Sequence, residues 1–332
     1  MAEFISGDFN TLREPWNRLL SNSTSKLLFS SPEWSEQWWQ YFGADSQLYL
    51  GAVKDDGRYI GIAPLRRKDG IMYFIGSDNV CDFLDFIVEQ GKEEMFFQTV
   101  FAYLSNVKIE AFDLSPLLPD STAKRFLPDT ALSPNLSVSC APVDVTVRLD
   151  IPPNLATYHS ILTAKQRHEL LRKERRLHEE GDITFSIKDR ASQQDIEIFL
   201  RFFRQSREDK NKFLTTEMES FFRAVIRMAE ANRILRLGIL ALNNVSVAAT
   251  LCFDYQNNTY LYNSGYNPDY RWLSVGLLSK YYHIKHSIES GKTTFDFLKG
   301  AEKYKYHLGG KDVPLYQCML KNKQVERSES GR

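Results

Sequence analysis

Between Tyr260 and Gly310 the chain gathers its most chemically suggestive residues into one stretch. Ser274-Val275-Gly276-Leu277 reads as the first turn of a helix entered from a polar loop. First-turn N–H groups have no carbonyl of their own helix to bind, so they can hold a phosphate, and a glycine there lets the backbone approach it closely. The rival reading is a plain strand–loop–helix–strand packing unit with no ligand. Asp296 alternates with Phe295 and Phe297 and therefore points to the opposite face of its strand. Such a carboxylate can bind an amine, act as a base, or serve as a buried strut. On an ideal helical wheel Arg167 lands in the stripe of Leu170, Leu171 and Leu177, where a guanidinium needs an anion to offset desolvation; it is singled out as a functional residue, with pairing to an intramolecular carboxylate such as Asp296 as the rival. His283 and His286, three apart with no further His or Cys nearby, read as helix-surface residues rather than metal ligands, and no metal site is expected. No Gly-x-Ser-x-Gly elbow, Walker loop or Gly-x-Gly-x-x-Gly fingerprint is present, which argues against hydrolase, NTPase and dinucleotide-dependent dehydrogenase chemistry.

The elements that must position these residues follow from periodicity. Tyr260, Leu261 and Tyr262 are strand formers, and Asn263 to Asp269 are turn formers. Ser274 is a good N-cap type; Leu277, Leu278, Tyr281, Ile284 and Ile288 then recur at helical spacing until Gly291. A strand over Thr293–Leu298 follows. Upstream, Thr163 opens a highly charged helix that Gly181 ends, and Arg233–Leu242 and Val245–Phe253 form a hairpin about Asn243-Asn244. The first half shows a helix starting at Ser31-Pro32, with an aromatic stripe (Trp34, Trp38, Tyr41 or Phe42) that belongs in a core. Strands at Gln47–Val53, Arg58–Arg66 and Ile71–Ile75 are joined by Asp-Gly turns. Prolines crowd the region from Leu114 to Pro153, where short strands are expected at Leu136–Cys140 and Val143–Leu149. The boundary is placed near Ile151-Pro-Pro-Asn154, dividing the chain into domains 1–150 and 151–332. The expected class is α/β, each domain a mixed, largely antiparallel sheet flanked by helices.

Composition narrows the partners. The 332 residues suffice for two domains, and 42 basic against 42 acidic side chains leave no global field for DNA or acidic lipid. Four dispersed cysteines without a Cys-x-x-Cys pair suggest free thiols in a reducing compartment. The N-terminus lacks signal-peptide character and no apolar run is long enough to span a bilayer, so a cytoplasmic location is expected.

The order of elements, with a helix launched from the end of a central strand, resembles the GNAT acyltransferase fold. Thr163-Ala-Lys-Gln-Arg167 through Gly181 is similar to the arginine-rich helix that opens the catalytic domain of CelD/BcsL-type acyltransferases. Phe295-Asp296-Phe-Leu-Lys-Gly300-Ala-Glu-Lys-Tyr304-Lys305 resembles that group's closing motif, and Ser31-Pro-Glu-Trp34, Ala63-Pro-Leu65 and Asp82-Phe-Leu-Asp85 resemble its N-terminal part. The same group is related to Fem-type transferases, which pair two GNAT-like domains and move amino acids from aminoacyl-tRNA.

The resemblance implies an N-acyltransferase using acyl-CoA, or an acyl carrier protein, as co-substrate, with no tightly bound cofactor. The acceptor would be an amine on a sugar, lipid or cell-envelope precursor, and cellulose- and capsule-associated members point to polysaccharide biosynthesis. Ser274, Val275, Gly276 and Leu277 would hold the carrier's pyrophosphate, and the strand around Tyr262 would offer an N–H to the thioester carbonyl. Tyr304 would protonate the leaving thiolate, with a packing tyrosine as the rival. Lys305 would face the donor or the developing oxyanion. Arg167, Asp82 and Asp85 would lie toward the acceptor, against a loop-capping rival for the two aspartates. Two departures bear on this reading: the glycine-rich acetyl-CoA signature is reduced to Ser274-Val-Gly276, and no coiled-coil arm for tRNA is seen. A Fem-type aminoacyl-tRNA enzyme and a non-catalytic GNAT-shaped scaffold remain the alternatives; the balanced charge weighs against tRNA.

Overall fold

A computed structural model describes residues 1–22, 27–107, 109–128 and 136–322. Within it the chain divides into two compact units. The first is Met1–Val145 together with the C-terminal residues from Val313 on, and the second is Thr146–Asp312. The division differs from a cut at 150 chiefly at the C-terminus, because the last strand pairs inside the first unit. That pairing, spanning some two hundred residues, has no local signal.

The first unit runs β1 (Glu3–Ser6), α1 (Phe9–Asn22), α2 (Pro32–Phe42), β2 (Gln47–Asp55), β3 (Arg58–Lys68), β4 (Ile71–Phe74), β5 (Ile87–Val88), α3 (Glu93–Leu104), β6 (Ala111–Leu117), α4 (Thr122–Phe126) and the first part of β7 (Leu136–Asp150). The β2–β3 and β3–β4 hairpins turn at Asp56-Gly57 and Asp69-Gly70, all four residues at positive φ, as two-residue turns between twisted strands require. Strand β4 then lies parallel to β6. The aromatic stripe of α2 is core at Trp34 and Trp38, while Tyr41 and Phe42 are half-buried. In place of two short strands, β7 is a single strand running through Pro142. The chain around Pro142 is exposed, so the missing N–H leaves no buried partner unmet.

The second unit continues with α5 (Leu155–Ile161), α6 (Ala164–Glu179), β8 (Ile183–Lys188), α7 (Gln193–Ser206), α8 (Glu208–Phe213), α9 (Thr216–Ala231), β9 (Leu235–Leu242), β10 (Val245–Tyr255), β11 (Asn258–Tyr266), α10 (Val275–Glu289), β12 (Thr294–Lys299) and α11 (Lys303–His307). Its sheet has the order β7-β12-β11-β10-β9-β8, antiparallel except where β11 runs parallel to β12. The final strand, β13 (Lys311–Asn322), pairs antiparallel with β6 in the first unit. Thr163 caps α6 in a reciprocal box with Gln166. Leu170 and Leu177 of that helix enter the core, but Leu171 is exposed. The core is built from Leu240, Val247, Leu261, Leu278, Tyr281, Ile284, Phe295 and Phe297, so α10 packs against the sheet beside β10 and β11. Gly265 makes close packing possible on β11: a Cβ there would meet the α7 backbone of Phe202 and Phe203 at 2.2 Å.

Cys140 and Cys318, both in the first unit, form a disulfide, while Cys81 and Cys252 are buried thiols outside any disulfide. The expectation of four free thiols is therefore corrected, and the compartment argument drawn from it does not extend to this pair. Strand pairing far apart in sequence brought the two together. Among the described residues no helix is long and apolar enough to cross a membrane.

Candidate active site

The site is built where β11 and β12 part. They pair in parallel only at Asn258↔Thr294, Thr259↔Phe295 and Tyr260↔Asp296, although β11 continues to Tyr266 and β12 to Lys299. Beyond Tyr260 the ladder between them ends, leaving a gap in the pairing of the sheet. On the β10 side the register jumps from Leu251↔Asn263 to Cys252↔Leu261, which makes Tyr262 the extra residue of a β-bulge. A bulge twists the strand and re-aims the backbone at this point.

The loop after β11 ends at the head of α10. Ser274 occupies the N-cap position but in the left-handed conformation, φ 58° and ψ 30°, and its side chain caps nothing. The expected side-chain cap is thus corrected: the carbonyl of Ser274 accepts from Leu277 N–H and Leu278 N–H at 2.9 and 3.0 Å. Leu277 therefore has no free amide to offer. The amides of Val275 and Gly276 have no acceptor among the described residues. A Cβ on residue 276 would stand 2.8 Å from the Tyr266 ring, so glycine is needed for packing as well as for approach.

Tyr304 and Lys305 enter from α11 with contrasting surroundings. The Tyr304 hydroxyl makes no hydrogen bond among the described residues, and its ring packs edge-on to Phe297. Burial, and then the charge of Glu302, push its phenol well above the ordinary range, so it stays protonated and able to donate. Lys305 is only 2 % exposed and its ammonium is spent on the protein. It donates to the carbonyls of Leu298, Lys299 and Gly300 at 2.7, 2.7 and 2.9 Å and lies 2.9 Å from a Glu302 oxygen. Four acceptors around three protons leave nothing for an oxyanion, so the catalytic expectation for Lys305 is corrected to that of a clamp on the loop after β12. The clamped segment includes Leu298 at φ 63°, a conformation a leucine holds only under such constraint.

Asp296 is a strut, but not for Arg167. Its oxygens accept from Thr146 Oγ1 at 2.8 Å, Arg148 Nε at 2.7 Å and the Leu298 N–H at 2.8 Å. Strand register explains the partner, since Arg148 sits directly opposite Asp296 on β7. Both oxygens are thus engaged by the protein, and the catalytic expectation is corrected accordingly. Arg167 instead donates to the His159 carbonyl at 3.3 Å and has no carboxylate in ion-pair reach among the described residues.

In the first unit, Asp85 is 1 % exposed and accepts from the amides of Phe86, Thr122 and Ala123. It is a structural cap at the start of α4, which corrects its acceptor-binding expectation. Asp82 is half-buried in the β4–β5 loop. His283, expected on the surface, is fully buried: Nδ1 lies 2.9 Å from Thr250 Oγ1, Nε2 has no partner, and burial pushes the ring down to about 3, so it is neutral.

Sequence reasoning missed two lysines. Lys280 on α10 is 7 % exposed, and its Nζ donates to Gly276 O at 2.6 Å and lies 4.8 Å from the centre of the Tyr304 ring. Burial, and next the charge of Lys210, push its ammonium down to about 7. Lys210 on α8 donates to Ser264 O at 2.6 Å and lies 4.7 Å from the Phe203 ring centre; burial and then Arg207 bring it to about 8. Neither has a carboxylate within ion-pair distance among the described residues.

Residues 164–306 match the profile of the acetyltransferase (GNAT) domain. No curated protein sequence matches the chain. Among solved structures, FemX is similar over 95% of this chain and 96% of its own, with a TM-score of 0.67 at 12% identity. The C-terminal domain of a putative lysylphosphatidylglycerol synthetase from Agrobacterium fabrum gives 0.60 at 10% identity, covering 96% and 94%. A tandem GNAT protein from the clavulanic acid biosynthesis pathway gives 0.51 at 12%, covering 96% and 98%. At such identities these likenesses speak for fold alone. The chain is an α/β protein with a two-domain GNAT fold, and its residues 164–306 are similar to the acetyltransferase (GNAT) domain.

Proposed function

We propose that the protein is an N-acyltransferase that moves an acyl group from a coenzyme A thioester, or from an acyl carrier protein, to an amine on a sugar, lipid or cell-envelope precursor. The observation that carries this reading is the pair of unpartnered amides, Val275 and Gly276, at the head of a helix beside the gap between β11 and β12. A diphosphate on those amides directs the attached pantetheine into the gap, toward the bulge at Tyr262 and the Tyr304 hydroxyl. The amine attacks the thioester carbonyl, the backbone near Tyr262 stabilises the oxyanion, and Tyr304 gives its proton to the sulfur as the C–S bond breaks, the proton shed by the new amide nitrogen then restoring the phenol. Arg167 remains the acceptor-side candidate within this unit.

Release of free thiol from a panel of acyl-CoAs, with candidate amines added singly, tests the reading; no release with any pair refutes it. FemX and the lysylphosphatidylglycerol synthetase domain, as structural neighbours, favour a second donor class, aminoacyl-tRNA. The balanced charge of the chain opposes it, and transfer from charged tRNA in place of acyl-CoA decides between the two.

A further inference from the structure

The gap between β11 and β12 has an unusual lining for a place that would receive an acyl chain. Lys210 reaches it at Ser264, two residues past the bulge, and Lys280 reaches it at Gly276 and Tyr304. Each ammonium has one backbone carbonyl as its hydrogen-bond acceptor, where it has three protons to place. The other charged groups facing them do not neutralise the pair. Glu302, which acts on both, is bound to Lys305; Arg207 beside Lys210 is paired with Asp209; and Cys252 beside Lys280 is a thiol that burial keeps protonated. Counting Lys210, Lys280 and Lys305 against Glu302 leaves an excess of two positive charges when all are ionised.

An apolar acyl chain would bury both ammonium groups further without supplying a partner, which is costly. A carboxylate supplies two oxygens for the two cations and forms charge-assisted hydrogen bonds in a water-poor setting. The diphosphate of the carrier is not that anion in this arrangement, because the amides of Val275 and Gly276 point out of the N-terminal end of α10 while the Gly276 carbonyl that Lys280 binds points the opposite way along the helix.

We propose that Lys210 and Lys280 together bind a carboxylate carried on the transferred acyl group, so that the donor is the monothioester of a dicarboxylic acid. The inference rests on the acyl-thioester reading above. It names that site's substrate class.

Two stable thioethers of coenzyme A separate the possibilities: S-(3-carboxypropyl)-CoA and S-butyl-CoA, equal in chain length and differing in the carboxylate. Calorimetry on the wild-type protein is expected to show the carboxylate analogue binding about tenfold or more tighter. Lys280→Met and Lys210→Met are each expected to bring that ratio close to one. Equal affinities in the wild type, or a preference for the butyl analogue, overturn the proposal and leave the thioester reading standing.

Glutarate alone, a free dicarboxylate, reads the lysine pair without any carrier. Near pH 8 both amines are substantially neutral, so binding must take up protons, seen as a heat that changes between buffers of different ionisation enthalpy. Glutarate binding with proton uptake, lost in Lys280→Met, supports the anion site even if coenzyme A itself fails to bind, a result that would count against the thioester reading alone. Absence of glutarate binding overturns the anion site whatever coenzyme A does.

Discussion

Replacing Lys280 with methionine should make the protein more stable, and in a pH-dependent way. The ammonium sits 7 % exposed against one carbonyl and an aromatic face, and its value falls from 10.5 to about 7. At ~1.36 kcal/mol per decade, folding with that group ionised costs ~5 kcal/mol. Losing its charge-assisted bond to Gly276 O takes back ~2 kcal/mol, leaving a net gain of ~3 kcal/mol at neutral pH and below. The sign follows from proton counting. Between about 7 and 10.5 the unfolded chain binds a proton that the folded chain does not, so wild-type stability rises with pH across that window. The advantage of Lys280→Met must therefore be full at and below pH 7 and fade toward pH 10.5. For a unit of this size ~3 kcal/mol corresponds to ~6–12 °C in Tm. Melting curves by circular dichroism at several pH values provide the assay. A variant less stable than wild type, or one whose advantage is the same at every pH, would refute the burial argument for Lys280.

The other expectations are equally specific. Lys305→Met should lower stability by ~3 kcal/mol or more, together with activity, because it releases the three carbonyls of Leu298, Lys299 and Gly300; lost turnover at an unchanged Tm would restore a catalytic role. Tyr304→Phe should lower kcat by ~10²-fold at nearly constant Tm, since the hydroxyl has no partner to lose, and an unchanged kcat would remove it as the acid. Gly276→Val places a side chain against Tyr266 and over the open amides, so the donor KM should rise about tenfold or more while kcat changes less; an unaltered KM would place the carrier elsewhere.

Local signals in the sequence carried much of the architecture. The Asp-Gly turns, the Asn243-Asn244 hairpin and the Thr163 cap each depend on residues within a few positions, and each is found in the structure. Long-range pairing was not legible. Asp296 reads from the sequence as a base, an amine binder or a strut to Arg167, whereas its partner Arg148 is 148 positions away on a neighbouring strand, and Cys140 finds Cys318 by the same kind of strand return. Lys305 could be placed by resemblance, yet the tight loop that consumes its protons is formed by backbone carbonyls, which leave no mark in the sequence.

Lys280 left a trace that went unused: it falls on the same helical face as Leu277 and Ile284, where a charged residue calls for a reason. The trace was faint because α10 is buried on most sides, so that Ser279, His283 and Ser287 are also in the core. Lys210 lay hidden in the charged run from Arg207 to Lys212, which has the composition of a solvated surface.

Binding of coenzyme A at the head of α10 is the claim on which the rest depends. Protein labelled with ¹⁵N-valine and ¹⁵N-glycine, titrated with coenzyme A, reports on the amides of Val275 and Gly276 directly. Saturable shifts of those two resonances are the expected result, the open N–H groups having gained a phosphate acceptor. Two resonances that stay in place at saturating coenzyme A would contradict the account.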